Sequence, residues 1–152
     1  MTEISTSEKL QAKRDERTRK LWEDPFYADF PHLYREINIP NSCMAYGCTI
    51  GDGWKPLIYD LCTQLVQLDA GVVFDQIKEK FGGLRVYYSF DKTSTGQKPT
   101  DSQVEQVKTL VEETIGKADA TCETCGAAGT LRETKRGWLF NSCDSCAEKK
   151  GV

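Results

Sequence analysis

Apolar and polar positions divide the chain into a charged opening, a mixed middle and a cysteine-bearing end. Residues 8–23 are dense in mixed charge, with Leu10, Arg14, Arg17 and Leu21 on one helical stripe that Trp22 extends. That pattern predicts a helix with a thin apolar face, ended by Pro25 because proline disfavours helical backbone in the residue before it. Phe26, Tyr27, Phe30, Leu33 and Tyr34 flank Pro31, where a short helix is expected to start. Pro40, Asn41 and Ser42 mark a loop, and residues 43–50 read as a strand or a pocket wall. The clearest helix follows. Trp54, Leu57, Ile58, Leu61, Cys62, Leu65 and Leu68 recur at the spacing of one buried face. Asp52 is placed to cap it, Pro56 fits only its first turn, and Gly71 terminates it.

Beyond Val72 the period changes. Leu84, Val86, Tyr88 and Phe90 alternate with Arg85, Tyr87 and Ser89, as in a strand with one buried face. The segment before it carries Val73, Ile77 and Phe81 at helical spacing, yet runs straight into Gly82-Gly83. The expectation is a β-hairpin turned at those two glycines. Residues 91–99 are a polar loop. Thr100 and Gln103 have capping-box spacing for a helix that buries Val104, Val107, Val111, Ile115 and Ala118. Its other face carries Glu105, Lys108, Glu112 and Lys117. The fold class implied is α+β, a small antiparallel hairpin packed with helices, followed by a zinc-ribbon-like unit. Three segments are expected: a charged helix or arm over 1–24, an α+β core over 25–119 and the ribbon-like unit over 120–152.

Composition changes this picture in two ways. The net charge of −3 over 152 residues argues against bulk nucleic-acid binding driven by a basic excess. The opening residues lack a signal-peptide pattern and no apolar run is long enough to span a bilayer, so a cytoplasmic setting is expected. In such a reducing setting, seven cysteines are not a disulfide framework.

Four of them read Cys122-x₂-Cys125-Gly126 and, seventeen residues on, Cys143-x₂-Cys146, the spacing of a structural zinc site. Two residues between ligands let a tight knuckle aim both thiolates at one metal, and Gly126 relieves crowding just after it. Residues 131–134 and 138–140 are expected as two short strands around a turn at Gly137. Four thiolates close the shell of a single Zn²⁺, so its role is expected to be structural, not catalytic. The remaining cysteines, Cys43, Cys48 and Cys62, are expected to pack as small hydrophobes. A second metal site from His32, Cys43 and Cys48 was weighed against that.

No Ser/His/Asp pattern, zincin motif, phosphate-binding loop or dinucleotide fingerprint is present. Two basic-aromatic clusters stand out. Lys78, Lys80 and Arg85 flank the hairpin turn beside Tyr87 and Tyr88, with Asp75, Glu79 and Asp91 offsetting much of the charge. Lys135, Arg136 and Trp138 lie inside the cysteine unit. Cations interleaved with rings suit phosphate-bearing, ring-bearing ligands.

Together, Gly51-Asp52-Gly53-Trp54, the run Gln76 to Arg85 with its Lys80-Phe81-Gly82-Gly83-Leu84-Arg85 segment, and the paired Cys-x₂-Cys motifs resemble a family of small proteins from tailed bacteriophages and prophages. The likeness spans roughly residues 30–146. It implies a phage setting, in the host cytoplasm, and a zinc unit, without implying a reaction; the charged N-terminal helix departs from the pattern. In that setting the expected function is a non-enzymatic anti-defence protein that sequesters a nucleotide-derived immune signal, with Trp54, Lys80, Arg85 and Tyr87 as the pocket. The alternatives are an inhibitor that binds a host defence protein directly, a nucleic-acid-binding zinc-ribbon protein of phage transcription or replication, and a hydrolase using Asp52 or a nearby glutamate. A homo-oligomer through the charged helix is a further option.

Overall fold

The computed structural model describes residues 3–151 and has the α+β architecture expected. Helix α1 (Thr6–Glu23) starts two residues earlier than the expected residue 8. Ser5 and Glu8 form a capping box there, the Ser5 hydroxyl accepting from Glu8 N–H and the Glu8 carboxylate from Ser5 N–H. Only its second half docks. The Trp22 indole N–H donates to Asn38 Oδ1 at 2.9 Å, and Arg17 donates to the Ala45 carbonyl at 3.0 Å. Leu10, expected on the buried stripe, stays 52% exposed because nothing faces the first turns of the helix.

The short helix α2 (Pro25–Ala28) begins at Pro25, not at Pro31. Either proline fits a first turn, but Asp24 decides the matter by accepting from Phe26 N–H at 2.9 Å. Residues 43–50 supply a 3₁₀ turn and one parallel bridge, Thr49 to Lys78, instead of a strand. Phe26, Tyr27, Tyr34 and Phe74 stack edge-on or tilted into an aromatic cluster, with Tyr34 fully buried. The Tyr34 hydroxyl sits 3.4 Å from Cys62 Sγ and 3.9 Å from Cys48 Sγ. Those two cysteines pack as expected; Cys43 does not, being exposed.

Helix α3 (Lys55–Leu68) buries Ile58, Leu61, Cys62 and Leu65. Asp52 does not cap it. A 3₁₀ turn over Asp52–Trp54 intervenes, and the Asp52 carboxylate reaches out to Lys55 Nζ at 3.0 Å. The left-handed residue that ends α3 is Asp69, φ 49°, whose carboxylate is held by the N–H and hydroxyl of Ser94; Gly71 follows in the next turn of chain.

Strands β1 (Val72–Lys80) and β2 (Gly83–Phe90) pair antiparallel, with a bulge between Phe74 and Gln76. The bulge puts Phe74 and Ile77 on the same buried face at a spacing of three, which is why the sequence of β1 mimics a helix. The turn residues are Phe81 and Gly82, both with positive φ, one position earlier than the expected Gly82-Gly83. Helix α4 (Asp101–Asp119) has the Thr100–Gln103 capping box and packs on α3 and β2. Its buried face is Val107, Val111, Thr114 and Ala118; Val104 is 37% exposed because Gln103, beside it, takes the inward route to the end of α3.

The cysteine unit sits directly on this core. Gly53 N–H donates to the Glu123 carbonyl at 2.7 Å, and the buried Trp54 indole N–H donates to the Thr121 carbonyl at 2.9 Å. A Cβ on Gly53 would lie 2.2 Å from the Cys122 carbonyl oxygen, and one on Gly51 would lie 2.4 Å from that of Glu123. At the other contact, a Cβ on Gly82 would lie 2.5 Å from a Leu131 methyl. Gly51 and Gly53 of one motif and Gly82 of the other are therefore close-approach points for the cysteine unit. Gly53→Ala is expected to destabilise the metal-loaded protein by about 1–3 kcal/mol through overpacking against backbone. Trp54→Phe should cost about 1–3 kcal/mol by orphaning the Thr121 carbonyl. Urea denaturation of both variants checks this; midpoints matching the parent protein would contradict the docking role.

Candidate metal centre

Two local structures present the thiols. In the first knuckle Cys122 N–H donates to the Ala127 carbonyl at 2.7 Å, and Gly126 N–H, at φ 83°, donates back to the Cys122 carbonyl at 2.9 Å. Strands β3 (Thr130–Glu133) and β4 (Leu139–Ser142) then form a hairpin in the register Thr130↔Ser142 to Glu133↔Leu139. The second strand runs further toward the cysteines than expected. It delivers Cys143 to the N-cap of a short helix, α5 (Asp144–Lys149), which the sequence reading did not foresee. Cys146 N–H donates to Cys143 Sγ across that first turn. Arg132 locks the arrangement, donating to the Ser142 carbonyl at 3.0 Å and pairing with Asp144 at 2.6 Å.

The four Sγ atoms of Cys122, Cys125, Cys143 and Cys146 all lie within 4.8 Å of one another, and Cys125 and Cys143 are 3.6 Å apart. A tetrahedral thiolate site with metal–sulfur bonds of about 2.3 Å has sulfur–sulfur edges of about 3.8 Å, so the cluster fits a metal ion with little movement. Its electrostatics agree. Burial pushes the Cys122 thiol up, but N–H groups of Cys125, Cys143 and Thr124 outweigh it and hold the thiol down at about 5. The Cys146 N–H also holds Cys143 below its ordinary value. Cys146 is pushed up to about 12, chiefly because it shares its proton with Cys143. Among the described residues no other group of three or more His, Cys, Asp or Glu gathers in this way, so His32, Cys43 and Cys48 do not form a second site.

The residues expected to line a ligand pocket are only partly brought together. Trp54, expected in the pocket, is instead fully buried, its indole N–H spent on the Thr121 carbonyl of the first knuckle, so it offers no surface to a ligand. Arg85 and Tyr87 share the outward face of β2, with Lys80 at the end of β1. Directly opposite Arg85 stands Lys78. Among the described residues neither cation, nor Lys80, has a carboxylate within ion-pair distance. The carboxylates expected to offset them are engaged elsewhere: Glu79 accepts from Gly82 N–H, Asp75 from Ser89 and Asp91 from Arg35.

The hairpin tip also meets the ribbon turn. Lys80, Phe81, Arg136 and Trp138 line one cleft of about 450 Å³, which joins the two basic-aromatic clusters that the sequence keeps fifty residues apart. A second cleft of about 480 Å³, lined by Phe30, His32, Leu33, Val66, Asp69 and Lys92, had no signal in the sequence. Compared with protein-family models, curated proteins and solved structures, the chain matches none. No described helix is long and apolar enough to cross a membrane.

Chelation should loosen the cysteine unit first. Amides of residues 120–148 are expected to lose hydrogen-exchange protection while those of α3 keep theirs; unchanged protection after metal removal would overturn the assignment. Thiol labelling gives a second check. Burial pushes Cys48 and Cys62 up to about 12, so near pH 8 they remain protonated and inert. Alkylation of the metal-loaded protein at that pH should modify Cys43 alone, and chelation should add the four clustered thiols. Labelling of Cys48 or Cys62 should appear only as the pH nears their raised values.

Proposed function

We propose that this chain is a non-enzymatic binding protein, held in shape by one structural Zn²⁺, that takes a small phosphate-bearing ligand on the outward face of its hairpin. Zinc suits a shell of four thiolates better than the hard cations, which prefer oxygen. Such a shell has no open position for an activated water, so the metal clamps the fold and the binding groups lie elsewhere.

The observation that carries the reading is the register of Lys78 opposite Arg85. Like charges facing each other across an antiparallel pair are destabilising by about 0.2–1 kcal/mol. Here neither cation is neutralised by a neighbouring carboxylate. A bound phosphate turns that repulsion into two charge-assisted hydrogen-bonding partners, with the Arg85 guanidinium able to grip two oxygens at once. Tyr87, 48% exposed and two pairs along on the same face, offers a ring for the organic part of the ligand. In the phage setting that the motifs resemble, such a ligand is a nucleotide-derived immune signal, sequestered in the host cytoplasm.

A second reading, inhibition of a host defence protein by direct contact, draws on α1. Its first eight residues are exposed throughout and face nothing in the fold. That reading requires a stable complex with a host protein that is lost when residues 1–13 are removed.

Calorimetry of the metal-loaded protein with cyclic nucleotides and ADP-ribose derivatives tests the first reading. Binding is expected, weakened roughly tenfold or more by Arg85→Gln and by Lys78→Gln. The same substitutions should leave the free protein as stable or raise its stability by about 0.2–1 kcal/mol, since they remove the repulsion. Absence of binding to every one of these compounds, or full affinity in both variants, would sink it.

A further inference from the structure

The two most exposed large hydrophobic side chains in the described structure are Trp138, at 74%, and Phe81, at 67%. They come from different units of the chain and line the same cleft. Such side chains in isolation need no explanation, but two aromatics converging on one cleft do. Phe81 is also held at a cost. Its φ of 54° lies in the left-handed region, which glycine or asparagine occupies freely and a bulky aromatic residue does not. A two-residue turn with positive φ at both positions would be cheaper with Asn-Gly or Gly-Gly. The hairpin tip thus keeps a ring where the backbone disfavours one.

The cleft is not an apolar hole. Lys80 Nζ sits 5.4 Å from the Phe81 ring centroid, and Arg136 lines the other side. Among the described residues neither Lys80 nor Arg136 makes an ion pair. Glu79, the one acidic residue of the lining, has its carboxylate turned to the Gly82 N–H. Lys80 belongs both to this cleft and to the outward hairpin face, so the two surfaces are continuous. Read along that face, the order is Tyr87, then Lys78 with Arg85, then Lys80, then Phe81, Trp138 and Arg136. Along this line three cations sit between one ring at the far end and two at the cleft, with Arg136 beyond them.

We propose that the ligand on this surface is a linear single-stranded phosphodiester chain of two or more nucleotides, its phosphates on Lys78, Arg85, Lys80 and Arg136 and its bases against Tyr87 and between Phe81 and Trp138. This rests on the reading of the hairpin as a phosphate seat and deepens it. Cations set among exposed rings are the chemistry of single-strand binding: the cations follow the backbone, and each stacked base adds about 1–3 kcal/mol without regard to sequence. Tyr87 and Gly83 are four strand residues apart, about 13 Å, with the aromatic cleft beyond. A mononucleotide seated on Lys78 and Arg85 leaves its base short of that cleft, whereas a chain of nucleotides reaches both ends. Duplex has its bases already stacked and cannot place them on the rings. The overall charge of −3 fits a short track of this kind and not a broad basic surface.

The test is calorimetry of the full-length, metal-loaded protein titrated at low salt with thymidine monophosphate, a thymidine trinucleotide, longer oligothymidine and a duplex. The trinucleotide is expected to bind at least ~10-fold tighter than the monophosphate. Phe81→Ala and Trp138→Ala should each weaken trinucleotide binding ~5-fold or more while leaving monophosphate affinity unchanged. Affinity for the trinucleotide should fall as salt rises. A longer strand that binds no tighter than the trinucleotide supports a short oligonucleotide as the natural ligand; one that binds much more tightly supports a longer strand. Trinucleotide affinity equal to that of the monophosphate, or unmoved by both aromatic substitutions, overturns the proposal and leaves the phosphate seat standing. Duplex binding as tight as single strand also overturns it. If none of the probes binds, or if Arg85→Gln leaves the affinity of both monophosphate and trinucleotide unchanged, both the chain and the seat are wrong.

Discussion

Two hydrogen bonds between the core and a peptide turn set the position of the cysteine cluster against the rest of the chain. Gly53 N–H and the Trp54 indole donate to the carbonyls of Glu123 and Thr121, which flank the first metal-binding cysteine. Because the bonds are made to backbone, the approach must be close, and side chains at Gly51 or Gly53 would collide with it. The metal centre is thereby anchored to the N-terminal end of α3, in the same region where Trp54 enters the core. A third close approach, Gly82 against Leu131, brings the other end of the cysteine unit beside the hairpin tip, where Phe81 and Trp138 line one cleft.

This geometry separates two jobs that the sequence mixes together. The cysteine unit has only a few buried side chains of its own, among them Cys122, Asn141, Ser142 and Cys146, and a metal held by its four thiols would take the place of a core. The proposed ligand chemistry lies outside that thiol cluster, on the hairpin face and in the cleft beside the ribbon. Trp54 illustrates the separation. As an aromatic near a basic hairpin it reads as a ligand-stacking residue, yet its hydrogen-bonding edge is spent on holding the knuckle.

Features written locally were legible from sequence. The four cysteines, the face of α3, the capping box of α4 and the alternation of β2 all depend on spacings within one or two turns of chain. Errors arose where distant contacts or small energies decide. Pro25 and Pro31 are equivalent as helix starts until the Asp24 cap is counted. The bulge at Asp75 disguises a strand as a helix, and the positive φ of Phe81 shifts a turn by one residue against ordinary propensity. The role of Gly51 and Gly53 had no local signature, since it depends on a loop far along the chain. Likewise the two basic-aromatic clusters stand out singly in the sequence, and only the fold places members of both across one cleft.

The Trp54–Thr121 bond spans 67 residues, whereas the four thiols all fall within the last thirty or so, in a segment closed by a short hairpin. Closing a short loop costs less chain entropy than closing a long one. The thiols are thus gathered by local chain, whereas the cleft between hairpin and ribbon takes its lining from two distant stretches of sequence and exists only where they meet.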